Sequence, residues 1–484
     1  MQRSEGAIPN VMSNGKPSTG LTEILAAFIA DVPRRGVPAN VRAVLQAAAI
    51  DAIGCALFGL TTEAVRIVHA FAREQAGPQE ATLWASGGAR ISAANAALLG
   101  GTAIHGFDFD DHHRAKLHLS AAILPAALAL AERENCDGPT LLAALAAGYE
   151  AMARISLAAN PNAARMRGWH LTGTCGTFGA AAAASVILEL DAPTTASALG
   201  LAGTQSAGLW AFNADGAMSK RLHPGNAARN GIGAALLAQK GFQGPRKILE
   251  AEDGGFLAAM SDEMRPAEIE RDLGKVWRAE AVCFKPYACC GSNHASIDAA
   301  IELMAEHHFT AADVRSVMVG ISRVVERQTG FSYTASTVLN AQMSIRYDVA
   351  VALLDSAALI EQFTPQRVAD PVLNELISRI EVEVDPEMDA VYPERYAGIV
   401  TINLHDGRRL RKRVDYSKGM PENRMSPAEL NAKFRSLATA SVGADAAEEL
   451  LVDLDKIFDV TSNAAFMRRL GGVVVHDYCV SSAA

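Results

Sequence analysis

From Leu21 to about Gly241 the chain repeats runs of Ala, Leu, Gly and Val at helical spacing almost without interruption, and two windows within it, Gly168 to Leu188 and Ala192 to Ala214, hold no Asp, Glu, Lys or Arg. Uncharged helices of that length must be buried, either in lipid or inside a large helical body. Their composition selects the second. His170, several threonines, Pro193, Gln205 and Asn213 fall in them, and an Ala/Gly surface suits closely packed helices in water. Helical patterns at Val41 to Leu60, Ile91 to Ile104, Leu119 to Arg133, Leu141 to Leu157, Thr174 to Leu188, Ala196 to Gly208 and Gly225 to Gln239 are separated by breakers such as Asp137-Gly138-Pro139.

The texture changes after about Cys283. Val314 to Ser322 and Ile377 to Val384 alternate β-branched residues, and Ile399 to Val414 reads as a hairpin with Asp406-Gly407 at a type I′ turn. Helical patterns at His294 to His307 and Ala341 to Leu354 lie among these strands. Ser426-Pro427-Ala428-Glu429 then reads as a capping box that restarts helix. The expected fold is therefore mainly α: a disordered polar arm at 1–20, a large all-helical domain at 21–283, an inserted smaller α+β domain at 284–420, and a return to the helical domain at 421–484.

A formal net charge of -9 argues against nucleic-acid or anionic-membrane partners, and an acidic substrate would need a local basic pocket. Seven cysteines without a CxxC pair suggest reduced thiols in a cytoplasmic protein. The basic run Arg408 to Arg413 sits on an expected exposed strand and reads as a solvated face.

The chemistry concentrates in four segments. His105 to His118 holds four of the twelve histidines together with Asp108, Asp110 and Asp111, a mixture suited to proton transfer and equally to metal ligation. Gly168 to Gly176 is a glycine-rich turn containing His170, where free amides near Gly173 and Thr174 could hold a carboxylate. Met218 to Gly231 brings Lys220, Arg221, His223 and Arg229 to a helix start, the basic pocket that an acidic chain would need for an anion. Phe284 to His294 adds Lys285 and Tyr287 at the junction between the two expected domains. Its adjacent Cys289 and Cys290 read as buried small hydrophobes.

Five motifs in order, Asp108-Phe109-Asp110-Asp111 with His118, Gly168-Trp169-His170, Lys220-Arg221 before Ala227-Ala228-Arg229-Asn230-Gly231, Lys285 before Tyr287, and Gln342-Met343-Ser344-Ile345-Arg346-Tyr347, resemble the MmgE/PrpD family over about Leu21 to Leu470. That resemblance implies a helical domain with a smaller α+β lid, a homodimer, no cofactor and no metal. It also implies a small di- or tricarboxylate substrate surrounded by Asp108, His118, His170, Lys220, Lys285 and Tyr347. His112 stands where the family commonly has threonine, and Leu119 follows His118 where proline is common. Substrate-binding roles are expected for His112, Arg221, Gly173 and Thr174.

In the chemistry so implied, lysines fix the carboxylates and acidify the adjacent C–H, and His118 or His170 moves the proton with Asp108 orienting it. The outcome is decarboxylation or dehydration of an aconitate- or methylcitrate-like acid, or alternatively epimerisation of an iminodisuccinate-like one. Two rivals remain: a metal-dependent hydrolase built on the His105 to His118 cluster, and a noncatalytic helical binding protein.

Overall fold

The computed structural model describes residues 20–476, so the expected arm at 1–20 falls, apart from Gly20, outside the described residues, as does Cys479. The fold is mainly α. The charge-free windows become the helices Leu171–Ile187 and Ala192–Gly203, and the first is buried along its whole length. Its small residues permit this. A Cβ placed on Gly231 of the Ser219–Gln239 helix would lie 2.7 Å from Ala181 N, so the two helices can touch only through glycine.

The Gly138–Ala158 helix packs on the other side of Leu171–Ile187 and carries a fully buried Arg154. Its guanidinium bonds to Glu150 Oε2 at 2.9 Å, to Arg271 O at 2.8 Å and to Val276 O at 2.9 Å. The helix-poor stretch around 268–276 is thus held by a side chain in place of a ladder of its own. The capping box at Ser426 forms as expected, with Ser426 Oγ accepting from Glu429 N and Glu429 Oε2 accepting from Ser426 N. The Pro427–Val442 helix that it opens packs against Ala39–Gly59.

Between these helical parts lies one four-stranded sheet in the order Ile380–Val384, Val314–Ile321, Gly398–Leu404, Arg409–Val414. The first pair is parallel and the other two are antiparallel. Val317, Val319, Val400 and Ile402 form a second apolar core with the helices His294–His307 and Ile345–Asp355, and Phe58 and Phe109 reach it from the helical part. The helix expected at Ala341 to Leu354 is broken at Met343-Ser344, where Ser344 Oγ caps the second piece.

The hairpin turn differs from the type I′ expectation. Gly407 has φ 93° and Asp406 does not share it, so the link is a three-residue loop with one left-handed residue. On the strand beyond it, Lys412 pairs with Glu302, and Arg413 with Glu387 and Asp415, while Arg409 and Arg411 are exposed, so the basic run is a partly paired, solvated face. All six described cysteines are free thiols.

Candidate active site

The loop after the Ala93–Ile104 helix carries Asp108 at φ 56°, a left-handed conformation that an aspartate tolerates at some cost. Four consecutive carbonyls hold it there. Gly106 O accepts from Arg221 Nε at 2.6 Å, Phe107 O from Gln342 Nε2 at 2.6 Å, Asp108 O from Lys285 Nζ at 2.7 Å, and Phe109 O from Lys433 Nζ at 2.7 Å. A buried loop without secondary structure has its backbone acceptors satisfied by side chains from four distant parts of the chain.

Thus fixed, Asp108 Oδ1 lies 2.8 Å from Lys220 Nζ and 2.8 Å from Lys285 Nζ. All three side chains are almost fully buried. Burial alone would push the Asp108 carboxyl up, but the two ammonium groups hold it well below the usual carboxylate range. The result is two lysines bridged by one carboxylate, a face carrying net positive charge.

His118 stands beside this face, with Nε2 3.8 Å from Asp108 Oδ1 and Nδ1 3.2 Å from Asp110 Oδ2. Asp110 in turn faces His105 Nδ1 with both oxygens at 3.0 Å, and the His105 and His118 rings meet edge-on at 4.4 Å. Burial would raise Asp110's carboxyl, yet His105 and His118 keep it well below its ordinary value, so it is an anion that can steady an imidazolium. His105, fully buried, has its pKa lowered to about 3 by burial and stays neutral. His170 is likewise pushed well down, by burial and then by His223 and Lys220. Its Nδ1 meets His223 Nδ1 at 2.8 Å, so one ring donates and the other accepts.

One cavity gathers these groups. Asp108, His112, His118, His170, Lys220 and Lys285 all line it. His112 lies flat against Gly291, where an added Cβ would come within 3.0 Å of the ring.

The remaining expected residues sit elsewhere. Arg221 turns away to brace Gly106 and lines a separate groove with Phe58 and Phe363. The Tyr347 hydroxyl donates to Gln362 O at 2.6 Å within the second core. Gly173 gives the Ala207-Gly208 segment room, since a Cβ there would lie 2.5 Å from Ala207 O, and Thr174 is buried beside Cys175. Their motifs build the site without touching its space. Conversely Lys116, Trp210, Gln328 and Tyr396, for which no individual role is expected from sequence, line the cavity, and Asp110 and His223 support it. Asp110 and Lys116 lie inside the dense His105 to His118 stretch and could have been drawn from it; Trp210, Gln328 and Tyr396 carry no local signal.

Residues 23–268 match the MmgE/PrpD N-terminal domain and residues 287–456 match the MmgE/PrpD C-terminal domain. The chain belongs to the MmgE/PrpD family. Curated relatives agree: cis-aconitate decarboxylase of Homo sapiens is 29% identical over 434 residues, 87% of this chain and 89% of that protein. The cis-aconitate decarboxylase of Aspergillus terreus is 27% identical over 93% of this chain and 96% of its own length. The cis-aconitate decarboxylase-like protein oryM of Aspergillus oryzae is 27% identical over 94% and 99%. Family and relatives together make the chain a lyase.

In this MmgE/PrpD chain His105, Asp108, Asp110 and His118 also present possible metal-ligand atoms within 4.8 Å of one another. Each ammonium 2.8 Å from Asp108 Oδ1 occupies that oxygen and would repel a divalent ion beside it. Activity is expected to persist after exhaustive dialysis against a chelator, measured as turnover before and after. Loss that returns on adding one metal would favour the hydrolase-like alternative.

Proposed function

We propose that this chain is a cofactor-independent carboxy-lyase that removes carbon dioxide from a small tricarboxylate of the cis-aconitate type. The observation that carries this reading is that the Lys220–Asp108–Lys285 cluster shares one small cavity with His118, whose other nitrogen faces Asp110. Substrate carboxylates replace water around the two ammonium groups, which fix the acid in place. As the C–C bond to the leaving carboxylate breaks, carbon dioxide departs and the electron pair stays on the substrate, conjugated with its alkene and a neighbouring carboxylate. The lysines stabilise that developing charge in a site shielded from water. Protonated His118, steadied by Asp110, gives a proton to the carbon and takes one back from solvent. One proton is consumed for each carbon dioxide released.

The names of the relatives support the substrate class, and the two buried lysines lining the cavity suit an anionic acid. In this reading the sheet-bearing part acts as a lid, since Lys285, Ser292, Gln328 and Tyr396 line the same cavity as His118, His170 and Lys220.

The test is incubation with cis-aconitate, citrate, 2-methylcitrate and tartrate in D₂O, followed by NMR. Carbon dioxide release from cis-aconitate with one deuteron gained in the product is expected. Water gained or lost without carbon dioxide would move the chain to dehydration, and C–H exchange with nothing lost would move it to epimerisation. Four unchanged acids would sink the reading.

A further inference from the structure

Lys116 occupies a position that its backbone does not favour. The loop from His113 to Leu117 closes with Lys116 N–H donating to His113 O at 2.8 Å and His113 N–H donating to Leu117 O at 2.9 Å. The hairpin from Leu404 to Arg408 closes in the same way, with Gly407 N–H donating to Leu404 O at 3.2 Å and Leu404 N–H donating to Arg408 O at 2.9 Å. The fourth residue is left-handed in both, φ 93° at Gly407 and φ 58° at Lys116. Glycine is the usual occupant there, and a residue with a Cβ is strained by about 1 kcal/mol.

The Lys116 side chain lines the cavity. Its ammonium bonds to the Tyr392 hydroxyl and stands 5.0 Å from the Tyr392 ring centre and 5.4 Å from that of Tyr396. The charged and titratable groups facing it are Arg165, Cys290, Tyr392 and Tyr396. Among the described residues no carboxylate pairs with it. Arg165 itself lies 3.7 Å over the Trp210 ring, and its buried Nε has no partner. Lys116 thus brings to the cavity a cation without a carboxylate partner, backed by Arg165 behind the Trp210 ring and distinct from the Lys220–Asp108–Lys285 cluster.

We propose that Lys116 receives a second carboxylate of the substrate and sets the preference for acids carrying one at that end. The proposal rests on the carboxy-lyase reading above. Burial, then Arg165, lowers the Lys116 pKa to about 7, while Cys290 offsets this in part. The group is charged below that pH and neutral above it, so affinity for the acid weakens as pH rises through 7. Arg165, held near 10 by burial, and the two tyrosines, raised by burial, keep their protonation across that range.

Calorimetric titration with tricarballylate (propane-1,2,3-tricarboxylate) between pH 6 and 8 tests this with the parent, Lys116→Gly and Lys116→Met. Glycine removes the cation while suiting the left-handed backbone, so its fold is expected to survive, as a thermal melt would show. The parent should bind, more weakly at pH 8. Both variants should bind roughly tenfold less tightly at pH 6 and lose the pH dependence. With cis-aconitate as substrate their KM should rise by a similar factor while kcat stays within about threefold of the parent. Parental affinity and pH dependence in Lys116→Gly would overturn the role of Lys116 alone. A parent that binds no tricarballylate at any pH would overturn the polycarboxylate reading and this proposal with it.

Discussion

Replacing His118 by glutamine is expected to lower kcat by roughly 10²–10⁴ while KM changes far less. Of the histidines around the cavity, His118 combines a ring open to the substrate space with a carboxylate on its other nitrogen, Asp110 Oδ2 at 3.2 Å. His105 is fully buried and neutral, and His170 is committed to His223. Glutamine keeps the bulk and the backbone bond from His118 N–H to Thr172 Oγ1, so the entry to the Leu119–Arg133 helix is preserved. What it removes is the titrating group. Steady-state kinetics with the deuterium content of product made in D₂O would check this. Near-parent turnover in His118→Gln would return the role to His170.

Asp108→Asn has the second large effect, on stability and activity together. The single carboxylate offsets two buried ammonium groups, each 2.8 Å from Oδ1. Asparagine still accepts a hydrogen bond but leaves two like charges side by side, and stability should fall by about 3 kcal/mol. The sign with pH follows from the depressed carboxyl. Its contribution is present in full above the ordinary aspartate pKa and is lost as pH falls through the lower folded value, so at neutral pH parent and variant differ by the whole amount. One lysine is expected to shed its proton in response, which weakens substrate binding and lowers kcat/KM by roughly 10²-fold or more. Adding Lys220→Met should recover stability without activity, because it removes the surplus cation and a substrate contact at once. A double variant no more stable than Asp108→Asn in a thermal melt would rule out the charge-balance account.

Much of this was legible in sequence where the signal is local. Leu119 to Arg133 and His294 to His307 keep their boundaries because apolar periodicity and breakers act within a turn or two, and the Ser426 box forms because its partners are three residues apart. The segments holding Asp108, His118, Lys220 and Lys285 stand out as ionisable residues in apolar surroundings, while their grouping around one substrate is what the family resemblance implies. Long-range pairing left no comparable mark. Nothing in Arg221 or Gln342 says that each will hold a carbonyl of the Asp108 loop, and Tyr347 looked reactive within its motif while its hydroxyl is used to bond Gln362 O. The turn at Asp406-Gly407 was misread because dipeptide preference does not fix loop length. Lys116 lies within the dense His105 to His118 stretch, and only its place in the cavity sets it apart from its neighbours.

The four braced carbonyls also bear on how the protein is made. Residues 106 to 109 leave the ribosome early, yet the groups that hold them follow at 221, 285, 342 and finally 433. With synthesis at about 5–20 residues per second, the loop waits on the order of tens of seconds for its last brace, while Asp51 waits for the same Lys433 amine at 2.6 Å. A growing chain therefore carries its reactive groups long before they are assembled, and the Asp108 loop gains its last brace only once the Pro427–Val442 helix has docked. Release of that helix would free the Phe109 carbonyl and the Asp51 carboxylate together, since one amine holds both.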